Sequence, residues 1–101
     1  MLDAIDKIKQ YSSPFASADD FYDATQAFDA SMMNFIVIGE MIEKLSDELI
    51  TASNDEINWS KIKNFRNIVA HNYFGVDAEE VWQIIHNHLL QLDALLKKLI
   101  K

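Results

Sequence analysis

The segment VWQIIHNHLLQLDALLKKL, Val81–Leu99, decides the fold class of this chain. Its large apolar residues recur in alternating steps of three and four, at Trp82, Ile85, Leu89, Leu92, Leu96 and Leu99. That spacing gathers them on one face of a helix and is typical of a seam between packed helices. Just upstream, Asp77 with Glu80 three residues later predicts the cap that starts this helix. The segment therefore predicts one member of a helix bundle.

Two further helices are predicted nearer the amino terminus. The first carries Leu2, Ile5 and Ile8 on one face. It ends near Pro14, because proline cannot continue a helix and disfavours helical geometry in the residue before it. Ser17, followed three residues later by Asp20, predicts the cap of a long second helix, whose apolar line runs over Phe21–Leu49.

A third, shorter helix is predicted over about Trp59–Asn72. Only two glycines and one proline punctuate the 101 residues, which is too few turn formers for an all-β protein. Short connections make sequential helices antiparallel. The sequence therefore predicts an all-α, up-down four-helix bundle that occupies residues 1–101 as a single domain.

The composition limits the function. No apolar run approaches the roughly 20 residues that a membrane span needs, so we expect no membrane partner. The absence of cysteine excludes disulfides and thiolate nucleophiles and fits a cytoplasmic location. His86 and His88 are spaced two apart and would diverge on a helix, so the sequence predicts neither a metal site nor a cofactor. The net charge of −7 argues against a broad nucleic-acid-coating surface, so any contact with nucleic acid must be local.

The third helix concentrates the residues that could do chemistry. Taking Arg66, the only arginine of the chain, as zero and turning about 100° per residue divides the helix into two halves. The predicted core half carries Ile62, Phe65, Ile68 and Val69. The opposite half carries Lys63, Arg66, Asn67, Ala70 and His71, with Tyr73 beside Arg66. An arginine, an amide and an imidazole are thus expected on the outward half, around a small residue.

This set of groups suits cleavage of a phosphodiester beside a ribose 2′-hydroxyl. Arginine holds a phosphate through two parallel hydrogen bonds, and histidine exchanges protons near neutral pH. Asn67 can position an oxygen, and Lys63 adds charge. Such a reaction needs no metal, because the base, the cation and the orientation all come from side chains. The competing interpretation is that Arg66 and His71 are ordinary surface residues that form ion pairs.

The run RNIVAHNY, Arg66–Tyr73, resembles the R-x4-H-x-Y signature of HepT-like toxins, a branch of the HEPN superfamily of small helical ribonucleases and nucleotidyltransferase partners. The resemblance extends to NFIVIGEMIEKLSDE, to INWSKIKNFRNIVAHNYFGVD and to VWQIIHNHLLQL, and covers the chain from about Phe21 onward. It implies that Arg66 and His71 are the catalytic pair and that Asn67 is the polar residue that commonly follows the arginine. It also implies that a cognate antitoxin, a minimal nucleotidyltransferase, transfers AMP to Tyr73 and silences the toxin.

The resemblance further implies a homodimer in which two sites face one cleft. That would suit Arg66 and His71, which lie about 140° apart on one helix, because a second copy would let one centre draw on both chains. The first helix is shorter here than in many members of the family.

Two questions stay open at this level. Glu40 is either a solvated charge or a supporting residue near Arg66, brought there because the small Gly39 lets another helix approach closely. Met32, Met33 and Met41 are predicted core residues.

The chain itself is either an RNase toxin that cuts cytoplasmic RNA or a non-catalytic, nucleotide- or substrate-binding subunit of a nucleotidyltransferase. The intact Arg, Asn and His favour the first function, and the acidic charge favours the second.

Overall fold

The computed structural model describes residues 1–53 and 55–99, excluding the side chains of Phe74 and Leu99, and within those ranges the chain is all-helical, as predicted. The α-helices are α1 (Leu2–Ser12), α2 (Ala18–Asp23), α3 (Thr25–Glu43), α4 (Asp47–Ala52), α5 (Trp59–His71), α6 (Ala78–Gln83) and α7 (Leu89–Leu99). A 3₁₀ turn, Tyr73–Gly75, follows α5, and a π-helical turn, Ile84–His88, joins α6 to α7 without a break. None of these helices has the length and apolarity to cross a bilayer. The up-down order of four helices stays a prediction.

The helices start where short polar side chains offer a cap. Ser17 caps α2, its Oγ accepting a backbone N–H three residues on at 3.2 Å. Asp77 caps α6, and its Oδ1 accepts the amide of Glu79 at 2.9 Å. The expected partner of the Asp77 cap, Glu80, instead pairs with Lys61 of α5 at 2.9 Å. Both predicted caps are therefore confirmed, and Glu80 stabilises the contact between two helices rather than the end of its own.

The prediction of one long second helix is wrong, because it is divided into α2, α3 and α4. Ala24 leaves helical geometry, with φ −82° and ψ 77°, and separates α2 from α3. The second interruption follows Glu43, where the Oγ of Ser46 accepts the amide of Leu49 at 3.2 Å and starts α4. A serine hydroxyl that bonds the backbone ahead of it competes with helix continuation. The apolar spacing continues through both interruptions, which is why periodicity does not reveal them.

The core forms between the apolar faces of α1, α3, α5 and the α6–α7 helix. Phe35 of α3 and Phe65 of α5 meet edge to face, with ring centroids 5.0 Å apart, and fix the contact between those two helices. The predicted core assignment of Ile68 is wrong, because it lies at the margin of the α5 apolar face and is 36% exposed. Met33 and Met41 are also exposed, at 61% and 38%, since they stand on the outer side of α3.

One buried carboxylate ties the first helix to the last. Asp93 of α7 accepts hydrogen bonds from Lys9 of α1 at 2.8 Å and from Lys97 at 3.0 Å, and only 6% of the residue is exposed. Burial alone would raise the pKa of the Asp93 carboxyl, but the two lysines outweigh that effect and hold the pKa below its ordinary value. The ion pair between Lys9 and Asp93 therefore holds α1 against α7.

Candidate functional site

Arg66 lies in a notch that only a glycine leaves open. A methyl group at position 39 would overlap the Cγ of Arg66 and would stand 2.7 Å from its Cβ and 3.0 Å from its Cδ. Real β-carbons essentially never come as close as the first of these distances, and the second is tighter than nine in ten of their contacts. Gly39 is buried in the carboxyl-terminal part of α3, four residues before its end, so the aliphatic stem of Arg66 packs against the backbone of that helix. The close helix approach predicted at Gly39 is present.

The guanidinium of Arg66 is held from two sides. Its Nη2 forms an ion pair with Oε1 of Glu40, the residue after the notch, and its Nη1 donates to Oδ1 of Asn67 at 3.1 Å. Its Nε is buried and has no partner within the part of the chain that the structure describes. The Arg66 side chain is 19% exposed and that of Glu40 is 49% exposed. A guanidinium has five N–H donors, so these contacts orient the group and leave donors for a phosphate.

His71 is the last residue of α5 and is exposed. Across residues 1–53 and 55–99 its ring forms no hydrogen bond or ion pair, and the same is true of the exposed Lys63. Five residues separate Arg66 from His71, which corresponds to about 8 Å along the helix axis and about 140° around it. The structure thus places a fixed guanidinium and an accessible imidazole on one helix, on different faces.

Tyr73 is not where the helical wheel placed it. Helix α5 ends at His71, and Asn72, with φ −147° and ψ 58°, redirects the chain into the 3₁₀ turn. The Tyr73 hydroxyl donates a hydrogen bond to Oδ1 of Asp29 on α3. Glu40 follows Asp29 by eleven residues on that helix, or about 16 Å along its axis. The prediction that Tyr73 lies beside Arg66 is wrong, because it assumed that the helix continues.

The contact between Tyr73 and Asp29 stands at the edge of a cavity of about 240 Å³. Its lining residues are Tyr22, Thr25, Phe28, Asp29, Tyr73 and Val76. Burial, with the hydrogen bond and charge of Asp29, raises the pKa of the Tyr73 phenol. The sequence reasoning missed Asp29 because nothing local marks it: its partner lies 44 residues away and meets it only in the folded chain.

Metal ligands are not grouped in the described ranges: no three His, Asp or Glu side chains there stand close enough together to hold an ion. Arg66, Asn67, His71 and Lys63 remain the candidate site residues on α5. The arrangement offers a fork for phosphate, a proton acceptor and a neutral polar group.

This chain is similar to several known proteins, although no solved structure matches it. A Methanocaldococcus jannaschii protein named "Gamma-glutamylcyclotransferase and putative RNase" is 28% identical over 101 residues, which is 100% of this chain and 45% of that protein. A "Putative RNase" from Caldanaerobacter subterraneus is 27% identical over 77 residues, covering 76% of this chain and 65% of that protein.

A second M. jannaschii protein, also named "Putative RNase", is 28% identical over 69 residues, covering 68% of this chain and 56% of that protein. The chain spans less than two thirds of the length of each of these relatives. The model of a family described as "Ribonuclease HepT-like" matches residues 1–99, and the chain belongs to that family.

Proposed function

We propose that this chain is a metal-independent endoribonuclease, the toxin of a toxin–antitoxin pair, which inactivates cytoplasmic RNA through Arg66 and His71. The observation that carries the proposal is the oriented guanidinium of Arg66, set into the Gly39 notch on the same helix as an accessible His71. Membership of the ribonuclease family and the relatives named as RNases support it.

In this mechanism His71 accepts the proton of the ribose 2′-hydroxyl as that oxygen attacks the adjacent phosphorus. Arg66 donates to the phosphate oxygens, whose charge grows in the transition state, and Lys63 adds a second positive charge nearby. Asn67 holds Nη1 of Arg66 and so fixes the plane of the fork. The phosphorus–O5′ bond breaks, the leaving oxygen takes a proton from water, and His71 returns its own proton to the solvent. The products are a 2′,3′-cyclic phosphate and a 5′-hydroxyl end.

The chemistry itself is the first test of the proposal. Purified chain incubated with total RNA in EDTA should cleave it and leave 2′,3′-cyclic phosphate ends, because every group the reaction needs is a side chain. A DNA strand of the same sequence should stay intact, since it lacks the 2′-hydroxyl. The measurement is mapping of the RNA ends by their resistance or susceptibility to enzymes that remove cyclic phosphates. Loss of cleavage in EDTA, or equal cutting of DNA, would contradict this mechanism.

One observation favours the alternative, a non-catalytic binding subunit of a nucleotidyltransferase. Glu40 partly neutralises Arg66, and the chain as a whole is acidic, with a net charge of −7. Such a subunit would use the same residues to hold a nucleotide or to present Tyr73. The end-mapping experiment separates the two functions, because a binding subunit leaves RNA intact.

We further propose that the functional form is a homodimer whose two sites share a cleft. Met33, Val37 and Met41 form an exposed apolar line on α3, here called the α3 stripe, at successive intervals of four residues. Its last residue, Met41, follows Glu40 in the sequence, and the exposed Ile68 of α5 follows Asn67. A second copy seated on this surface would cover apolar groups and bring its own Arg66 and His71 towards the first pair.

Val37→Asp should convert the dimer to monomer. The substitution puts a carboxylate in the middle of the α3 stripe, and an uncompensated buried charge costs at least about 3 kcal/mol, which is about 100-fold in the dimer dissociation constant. Light scattering over a dilution series measures the shift, and RNA cleavage should fall with it. Leu90→Asp is the matched control, since Leu90 is a 47% exposed apolar residue of α7 outside the stripe. A wild-type monomer, or a Val37→Asp dimer as tight as the Leu90→Asp dimer, would refute the proposed interface.

Silencing completes the proposal: a cognate minimal nucleotidyltransferase transfers AMP to Tyr73. The hydroxyl of Tyr73 contacts Asp29 and does not lie beside Arg66. A nucleotide on this hydroxyl would therefore act through His71, which lies two residues upstream, and would not cover the guanidinium. An anionic nucleotide there would repel an RNA phosphate approaching the imidazole.

A further inference from the structure

The contact between Asp29 and Tyr73 has a chemical consequence for the proposed silencing, on which this inference rests. We propose that Asp29 positions the Tyr73 hydroxyl and accepts its proton when that oxygen is joined to a nucleotide. The carboxylate belongs to α3 and the hydroxyl to the 3₁₀ turn after α5, and they meet although 44 residues separate them. Asp29 touches the reacting oxygen itself, so the role is direct.

The surroundings leave the oxygen within reach of a reaction partner. Tyr73 is 37% exposed, and Asp29 is also exposed. The cavity of about 240 Å³ opens beside the pair, with the rings of Tyr22 and Phe28 in its wall, edge to face at a centroid distance of 5.0 Å. The exposed pair and the adjoining cavity leave room for a donor nucleotide beside the residue that carries the hydroxyl.

The transfer step balances with Asp29 as the base. The Tyr73 oxygen attacks the α-phosphorus of a nucleoside triphosphate, which the transferase supplies, and a new oxygen–phosphorus bond forms. The bond from that phosphorus to the pyrophosphate oxygen breaks, and pyrophosphate leaves with the electron pair. The phenol proton passes to Oδ1 of Asp29, which already accepts the hydrogen bond from that oxygen.

A phenol in this position needs a base. Burial and the negative charge of Asp29 raise the pKa of Tyr73, so free phenolate is scarce at neutral pH. Attack by a phenolate formed beforehand would be slow for that reason. Proton transfer to Asp29 during attack avoids the phenolate, because the proton moves as the oxygen becomes bonded to phosphorus.

The test compares the initial rate of AMP transfer from ATP to Asp29 variants by the cognate minimal nucleotidyltransferase, followed by intact-mass spectrometry. Asp29→Asn keeps a hydrogen-bond acceptor but cannot take a proton, so we expect a rate about 10²–10⁴-fold lower than wild type. The rate for Asp29→Asn should rise steadily with pH, as hydroxide replaces the missing base. Asp29→Glu should recover part of the rate, and Asp19→Asn, an exposed acid of α2 outside the cavity, is the matched control.

The outcomes separate two failures. No AMP on wild-type Tyr73 overturns the silencing and this inference with it. Transfer to Asp29→Asn at the wild-type rate and with the wild-type pH profile overturns this inference alone and leaves the silencing standing. A structural tether would lower the rate equally at every pH and would not be rescued by glutamate, so that result also overturns the proposal.

A partner-free measurement checks the contact directly. The ultraviolet absorbance of tyrosinate, with the signal of a Tyr73→Phe chain subtracted, reports the ionisation of Tyr73 alone. Its titration should shift to lower pH in Asp29→Asn than in wild type or Asp19→Asn, because a neighbouring negative charge has been removed. An unchanged titration curve would show that the two side chains are apart in solution and would overturn the proposal.

Discussion

His71→Ala is expected to lower the rate of RNA cleavage by about 10²–10⁴-fold, the usual contribution of a general base. The imidazole is the group that would take the proton of the 2′-hydroxyl, and alanine cannot replace it. The fold should be unaffected, because His71 is exposed and forms no hydrogen bond or ion pair with the rest of the described chain. Substitutions at such surface positions usually change the free energy of unfolding by less than about 0.5 kcal/mol.

His86→Ala is the matched control for that experiment. His86 is also exposed and helical, but its ring contacts Trp82 at a centroid distance of 4.3 Å and its Nδ1 lies 2.8 Å from the Trp82 carbonyl oxygen. Its loss should leave cleavage unchanged. The rates come from single-turnover cleavage of a labelled RNA, with circular dichroism as the check on folding. Cleavage by His71→Ala within a few-fold of wild type would remove His71 from the mechanism and favour the binding-subunit alternative.

Features that depend on neighbouring residues could be predicted from the sequence. The caps at Ser17 and Asp77 need only a short polar side chain and the amide two or three residues on, and α5 shows its apolar face within four turns. The notch at Gly39 was also foreseeable, since a glycine in the middle of an apolar helix either weakens it or admits another chain segment. Here it admits the stem of Arg66.

Features that depend on distant residues could not be predicted. The break at Ala24 has no breaker residue and no change of apolar spacing, and it lets α2 pack against both α6 and α3. The direction of Tyr73 depends on the backbone of Asn72, which leaves the helix one residue after His71. From the sequence, Asp29 is one of many acids. It becomes part of a candidate site only when the 3₁₀ turn reaches α3.

The R-x4-H-x-Y resemblance identifies Arg66, His71 and Tyr73 as candidate site residues. It does not predict where their side chains lie in the folded chain. The wheel placed Arg66 on the outward half of α5, whereas its side chain is only 19% exposed and rests against α3. A helical wheel sorts residues into a buried face and an exposed face. It cannot identify a residue that packs against a glycine of a neighbouring helix. That position orients the guanidinium, and in the proposed mechanism the shape of Arg66 would matter as much as its charge.

Arg66→Lys should therefore lower RNA cleavage by about 10²–10³-fold, the usual effect of removing one preorganised donor to a transition-state charge. Lysine keeps the positive charge but offers a single ammonium, which cannot bond Glu40 and Asn67 and still present a fork to the phosphate. The double variant Arg66→Lys, Lys63→Arg has the same composition as the wild type with the guanidinium one turn away. It should not recover the activity, because position 63 has no glycine notch to orient it.

Gly39→Ala tests the same point without touching Arg66. The added methyl would overlap the Cγ of Arg66, so the guanidinium must move away from Glu40 although its chemistry is unchanged. Overpacking costs about 1–3 kcal/mol, and the better helix propensity of alanine returns up to about 1 kcal/mol, so the chain should stay folded. Thermal unfolding and single-turnover cleavage, measured together, should show a small loss of stability with a large loss of rate. A Gly39→Ala chain that cleaves RNA like the wild type would mean that the charge of Arg66 suffices wherever it stands, and the fixed fork would then have no part in the reaction.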